Sequence, residues 1–476
     1  MSKLRLFIPI TSKFAVRYIF RTGLLAHLSK FATPLILLAW DEPGLCQEAE
    51  SLGCEVYQLP QMNLGSEYNR IRQKIDLWYL YRQLRSHTSK IKENQRERVL
   101  PLWGRLFRKA RLTYDLLMAS LPGAIQSEKI LLQQEACFKA SQTLLEQIRP
   151  DAGFCLTPYH WEEEVILRAA AMHHIPLCIS ILSFDNLTTR GWMSLIFDRY
   201  LVWNRYNQAE LLRGYPEINP GQIKIVGPAQ FDFYWDDQFF WTEEEWRRQL
   251  KLPTKRPVLL YAGGIGFHVP HEPEIVRQID KAITHDEIPF KPIILLRLHP
   301  MDFRERWQSI LTSSQNIICD EAFETDQIRS PNRDFKEIKK GIVSDIDVIR
   351  LGSTLRYSQA HINVCSTMSL DGAIFDRPQI GPAYDDTPGR KFDHIMREHY
   401  RKEHFLPIAN SGGVDIVHSR GQMIQAIAEA LVNPGKKSPQ RKRMLEEVCT
   451  FVDGQCTQRV RDAVLNFLYP ESTKGI

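Results

Sequence analysis

Short apolar runs of strand length alternate with helical patterns along most of the chain, and this alternation limits the fold more than any other feature. Parallel strands buried on both faces read as continuous apolar runs, and each needs a crossover of helical length before the next. In a first round, KLRLFIPI (3–10), TPLILLAW (33–40), CEVYQLP (54–60), DAGFCLTPYH (151–160) and PLCISIL (176–182) read as strands. Helical patterns lie between them at 17–30, 43–52 and 161–174, with a long helical region over 66–148 broken near Pro101 and Pro122.

A second round begins after Gly191. DRYLVWN (198–204), QIKIVG (222–227), RPVLLYAGG (256–264), KPIILLRL (291–298), NIICDE (316–321) and AHINVCS (360–366) read as strands, with helices over 243–251, 272–284, 304–311 and 348–358. Two further helices, 420–432 and 439–467, end the chain. Single cores stop growing near roughly 250–300 residues, so 476 residues call for two domains. The expected fold class is α/β: two doubly wound parallel-sheet domains facing a central cleft, 1–190 with the helical insertion at 66–148, then 191–435, with 436–476 crossing back to the first.

An apolar fraction of 43% and a charged fraction of 25% are those of an ordinary globular chain. Nine scattered cysteines with no CxxC pair read as reduced thiols, and the start MSKLRLFIPI lacks a signal peptide's apolar core and cleavage site. The window 18–40 carries Arg21, His27 and Lys30 and is a poor membrane span. The expected location is cytoplasmic.

Charge is uneven. From Asn69 to Arg111 there are 13 Lys/Arg against 3 Asp/Glu, so the rest of a chain of net charge +5 is acidic on balance. Trp78, Tyr79, Tyr81, Trp103, Leu106 and Phe107 are interleaved with that charge. Basic residues beside aromatics suit an interfacial helix on an anionic membrane surface, a peripheral site on the inner face of the plasma membrane. The other reading is a pair of surface helices whose apolar side packs on the domain. No nucleic-acid-binding motif accompanies the charge, so no nucleic-acid partner is expected.

Ligands in open α/β sheets bind beyond the carboxyl ends of the strands. In VCSTMSLDGAIFDRPQI (364–380) a buried strand ends in Ser366 and Thr367, natural caps for a helix start that suits phosphate. Leu370, Ala373 and Ile374 give that helix its buried face, which leaves Asp371 to accept ribose hydroxyls or simply to complement the helix dipole. RLHPMD delivers Arg297 and His299 to another strand end, as diphosphate donors or as a plain turn. Gly263, Gly264 and Gly266 follow a third, where missing Cβ atoms let phosphate approach the backbone, although GGIG is not the dinucleotide fingerprint. Three phosphate-compatible strand ends in one domain point to nucleotide-diphosphate binding there.

The segment STMSLDGAIFDRP resembles the donor-site element S-x-x-x-x-E-A-x-x-x-G-x-P of GT-B glycosyltransferases. Asp371 stands at the Glu, Gly372 at the Ala, Asp376 at the Gly and Pro378 at the Pro. SFDNLTTRGW, DRYLVWNRYNQAELL and QIKIVGPAQFDFY resemble the interdomain region of a bacterial GT-B group that includes CDP-glycerol glycerophosphotransferase-like and surface-polysaccharide enzymes. The resemblance covers about 183–467; before it, only RYIFRTGLLAHL matches. It implies a nucleotide donor on the second domain, an acceptor on the first, no bound metal and no cofactor beyond the donor substrate.

An inverting transfer needs a base beside the acceptor hydroxyl. His160, ending DAGFCLTPYH, and Asp185, after PLCISIL, are the candidates; their plainer roles are a helix start and an interdomain loop, and a retaining reaction needs no such base. The expected activity is transfer of a sugar from a nucleotide-sugar donor to a glycan or lipid-linked acceptor in cell-surface polysaccharide synthesis. The alternatives are a CDP-glycerol-type polyol-phosphate transferase, an NDP-sugar 2-epimerase-like isomerase, which needs no acceptor, and a noncatalytic protein that keeps the fold.

Overall fold

A computed structural model describes residues 3–98, 100–121, 123–266, 268–320, 343–386 and 393–470. The chain divides into two compact units. One runs to Gln230 and takes back the stretch from Gln455; the other holds the described residues of Phe231 to Gly454.

The first unit is built on seven parallel strands: β1 Leu4–Ile10, β2 Ala32–Leu38, β3 Glu55–Gln58, β4 Ala152–Cys155, β5 Leu177–Ser180, β6 Arg199–Val202 and β7 Ile223–Ile225, in the order β3-β2-β1-β4-β5-β6-β7. Leu6 to Ile10 are all buried because helices cover both faces of the sheet, which explains the continuous apolar runs. Among the described residues the second unit has six parallel strands: β8 Val258–Ala262, β9 Ile293–Arg297, β10 Ile317–Asp320, β11 Ala360–Asn363, β12 Gln379–Pro382 and β13 Val414–Val417, ordered β10-β9-β8-β11-β12-β13. In both sheets the chain winds outward one way from its first strand and then the other. The order therefore reverses between β1 and β4, and again between β8 and β11.

Two expected boundaries are corrected. The second unit does not begin at 191, because β6 pairs with β5 through Cys178↔Arg199 and β7 pairs with β6, so both extend the first sheet. Alternation alone does not tell which sheet a strand joins. Nor does all of 436–476 return to the first unit. The helix Ser438–Cys449 stays in the second, where Arg441 Nε donates to Asp376 Oδ1 at 2.7 Å. The helix Cys456–Leu468 belongs to the first, where Tyr469 Oη donates to Phe31 O at 3.0 Å and accepts the Leu4 amide at 3.3 Å.

The region 66–148 folds as the helices Ser66–Trp78, His87–Arg98, Leu102–Ser120, Ala124–Gln134 and Ala136–Ile148, with a π-helical turn at Tyr79–Gln83. Pro101 precedes one of them, where its missing N–H is no loss, and Pro122 lies outside the described residues. Buried charge ties this insertion to the helix Trp161–Met172: Arg72 pairs with Glu164, and Arg168 pairs with Glu128 at 2.5 Å. Part of the basic excess is thus neutralised inside the unit. Among the described residues no helix is long and apolar enough to cross a membrane.

Candidate active site

In the second unit the register Ala262↔Asn363 makes the loops after β8 and β11 leave the sheet side by side. Strand spacing puts their first residues about 5 Å apart. The β8 loop is held from behind. Gly263 N donates to Arg297 O at 2.9 Å, and Gly264 N donates to the buried Glu272 Oε2 at 2.9 Å. Arg306 donates to Gly264 O at 3.1 Å, to Val269 O, to Asp302 Oδ2 at 2.7 Å and to Glu272 Oε2 at 3.0 Å. Those two glycine amides are therefore committed to the protein, which corrects the expectation that they face phosphate. The amides of Ile265 and Gly266 carry no hydrogen bond among the described residues.

Burial pushes the Glu272 carboxyl up to about 7, against the pull of Arg306 and of the Gly264 amide. Between its ordinary 4.5 and about 7, the folded protein holds a proton that the unfolded chain has released. This group's contribution is full below 4.5 and is lost as pH rises toward 7. In Glu272→Gln that slope disappears. The unfolding free energy of wild type minus variant should fall by up to about 1.4 kcal/mol per pH unit in that window and level off above it. A difference independent of pH, read from urea titrations, would mean a carboxylate ionised throughout.

The β11 loop is shaped by Asn363, whose Oδ1 accepts the Ser366 amide at 3.3 Å and the Ser369 hydroxyl at 3.0 Å. Its buried Nδ2 finds no partner among the described residues. Cys365 turns through a left-handed φ of 50°, and its thiol donates to His399 O at 3.0 Å. Ser366 Oγ accepts the Met368 amide at 3.2 Å and so does the capping work. Thr367 is exposed and its side chain makes no cap bond, and its amide is open among the described residues.

His399 links the two loops, since its Nε2 lies 3.3 Å from His268 O in the β8 loop. Lys402 Nζ donates to its Nδ1 at 2.7 Å, so Nε2 carries the proton; burial, with Lys402 beside it, keeps the ring neutral. Lys402 is thereby fixed at this edge as a half-buried cation. His299, after β9, accepts the Met301 amide on Nδ1 at 3.0 Å, and burial brings it down to about 4. It is a neutral Nε2–H donor at neutral pH. Reading the sequence missed Glu272, Arg306, His399 and Lys402; the pile-up of ionisable residues in HYRKEH, 399–404, was the available signal.

Two further expectations fail. Arg297 is buried and pairs with Asp320, its register neighbour on β10, so it does not present its fork to a diphosphate. Arg350 Nε lies 2.7 Å from the other oxygen of the same carboxylate. Asp371 is buried too and accepts a hydrogen bond from the Tyr234 hydroxyl, so it does not look outward for a ribose.

In the first unit, the loops after β4 and β5 carry His160 and Asp185. His160 precedes the helix Trp161–Met172 without capping it, with its ring edge-on to Tyr159 at 5.4 Å. Asp185 accepts from Ser183 Oγ at 2.6 Å. Asn186 donates to the Tyr159 hydroxyl, which brings the two loops together. Beneath them the buried Glu163 accepts the Thr157 amide at 2.8 Å and the Thr11 hydroxyl at 2.9 Å, and burial raises its pKa. Glu163 and Glu272 thus do the same work at the two reversal points: an acid near the start of a helix holds the loop before it.

Two parallel sheets of this winding, each with its βα loops gathered at a reversal point, define the class: the chain has the GT-B fold. No protein-family description and no curated protein matches it. Among solved structures it is similar to the S. aureus MnaA–UDP co-structure, with a TM-score of 0.56 and 11% identity over 100% of this chain and 99% of that one. The UDP-GlcNAc 2-epimerase of Neisseria meningitidis bound to UDP-GlcNAc gives 0.54 and 11% over 97% and 100%. A glycosyltransferase from Rickettsia africae gives 0.50 and 11% over 99% and 100%. At such identities the likeness speaks to fold.

Proposed function

We propose that the chain is a nucleotide-sugar enzyme, a glycosyltransferase that moves a sugar to a glycan or lipid-linked acceptor in cell-surface polysaccharide synthesis. The observation that carries this is the β8/β11 edge, where Lys402 and the open Thr367 amide lie beside strand ends that suit a diphosphate, with the neutral donor His299 at the end of the adjacent β9. An ammonium and an amide aimed at phosphate stabilise the negative charge that builds on a departing nucleoside diphosphate. The similar structures with UDP and UDP-GlcNAc bound support the same ligand class. His160 or Asp185 takes the acceptor proton if the transfer inverts.

A second reading, 2-epimerisation of the nucleotide sugar, is favoured by the similarity to proteins of that activity. It differs by needing no acceptor. Incubating the enzyme with UDP-GlcNAc alone and looking for the 2-epimer separates the two.

Binding itself is tested by thermal shift with UDP, CDP, GDP, ADP and TDP. A nucleotide at about 100 times its dissociation constant adds roughly 2.7 kcal/mol. Lys402→Met should weaken that nucleotide by about tenfold, the value of one charge-assisted hydrogen bond. A response to CDP alone favours the polyol-phosphate transferase, and silence across the panel removes the nucleotide reading.

A further inference from the structure

The helix Leu102–Ser120 in the first unit carries a second apolar stripe on its outer side. Leu102, Trp103, Leu106, Phe107, Tyr114 and Leu117 fall on one face at helical spacing. A surface helix ordinarily buries such a stripe, but here it faces solvent: Leu102 is 68% exposed, Trp103 80% and Phe107 71%. No residue of this helix is buried. The side turned to the protein is mixed: Arg108 pairs with Glu93 and Asp115 lies 4.0 Å from Lys74, beside the half-buried Leu112, Leu116 and Met118. Of the two readings left open by the sequence, packing on the domain holds for Trp78 and Tyr79 but not for the outer stripe of this helix.

The borders of the stripe are basic. Arg105 and Lys109 lie along one edge and Arg111 along the other, all exposed, and the helix's one acid, Asp115, points away. Lys109 reaches Glu97 at 3.6 Å and Arg111 reaches Asp115 at 3.7 Å, yet both keep most of their side-chain surface open.

We propose that this helix lies flat in the interface of an anionic membrane, with Trp103, Leu106, Phe107 and Leu117 between the acyl chains and Arg105, Lys109 and Arg111 on the lipid phosphates. Charge selects this occupant over a second copy of the chain, since two such faces set together would oppose basic border to basic border. The inference does not depend on the nucleotide reading, and either can fail alone.

The test is flotation of the full chain with phosphatidylcholine vesicles, with and without phosphatidylglycerol. The wild type should float with the anionic vesicles, and less so as salt rises. The double substitution Leu106→Glu, Phe107→Glu should lower partitioning by at least about tenfold, with the melting temperature unchanged because both side chains are exposed. Lys109→Glu with Arg111→Glu should abolish the preference for anionic over neutral vesicles. A wild type that stays with the soluble fraction, or a double variant that floats as well as wild type, overturns the proposal. So does a lipid-indifferent dimer that the double substitution breaks.

Discussion

Asp320→Ala should destabilise the second unit by about 3–5 kcal/mol, more than any other single change proposed for it. The carboxylate is fully buried at the end of β10 and is shared by two guanidiniums, Arg297 across the ladder and Arg350 from the helix Asp345–Tyr357. Without it, both guanidiniums lose the carboxylate they share in a low-dielectric site. Arg297→Met is the control, because it leaves Asp320 paired with Arg350 and replaces an ion by an apolar chain of similar length. It should cost clearly less. Urea unfolding followed by far-UV circular dichroism compares them, with each unit allowed its own transition. Equal losses would mean that Arg350 gives no compensation, and that the β9 end is held by the Arg297 pair alone.

Gly372→Ala should destabilise by about 3 kcal/mol despite lying inside a helix. On propensity alone alanine is better there by about 1 kcal/mol. The new methyl would fall on His361 Nδ1 and Gln379 Nε2, both buried beneath the helix Met368–Ile374. Burial holds His361 neutral, at about 3, so the ring is fixed in place by packing and by Gln379 Nε2 at 3.2 Å. This explains why glycine stands where the resembled element has alanine. The check is the melting temperature of Gly372→Ala beside that of Gly372→Ala with His361→Ala, which reopens the space. Overpacking predicts that the second change restores part of what the first removes.

The strands were legible because burial on both faces leaves continuous apolar runs, and β8, β9 and β11 fall within the ranges read from sequence. Strand membership was not, since the edge pairings of β6 and β7 leave no local mark. At the site, the strand-end loops were legible and the fates of their side chains were not. Arg297 looked free because its partner sits on the next strand, 23 residues on. Asp371 looked outward by helical phase, but Tyr234, 137 residues earlier, reaches in to take it. Lys402 was missed because it comes from a loop beyond β12, brought to the edge by His399. Asp376, at the Gly of the resembled element, takes a left-handed turn with a φ of 53°.

The return of the chain from Gln455 into the first unit has a consequence for synthesis. Strand β1 is made before the second unit, but the helix Cys456–Leu468 and the Tyr469 hydroxyl that joins Leu4 to Phe31 are made after it. The second unit has all its strands by Val417 and can close while the ribosome is still at work. Birth order and completion order are thus reversed. The seven-stranded half must wait, nearly finished, with the helix Cys456–Leu468 missing, for the stretch from Gln455 to emerge, and a nascent chain stalled after Gly454 should be cut by protease in its older half.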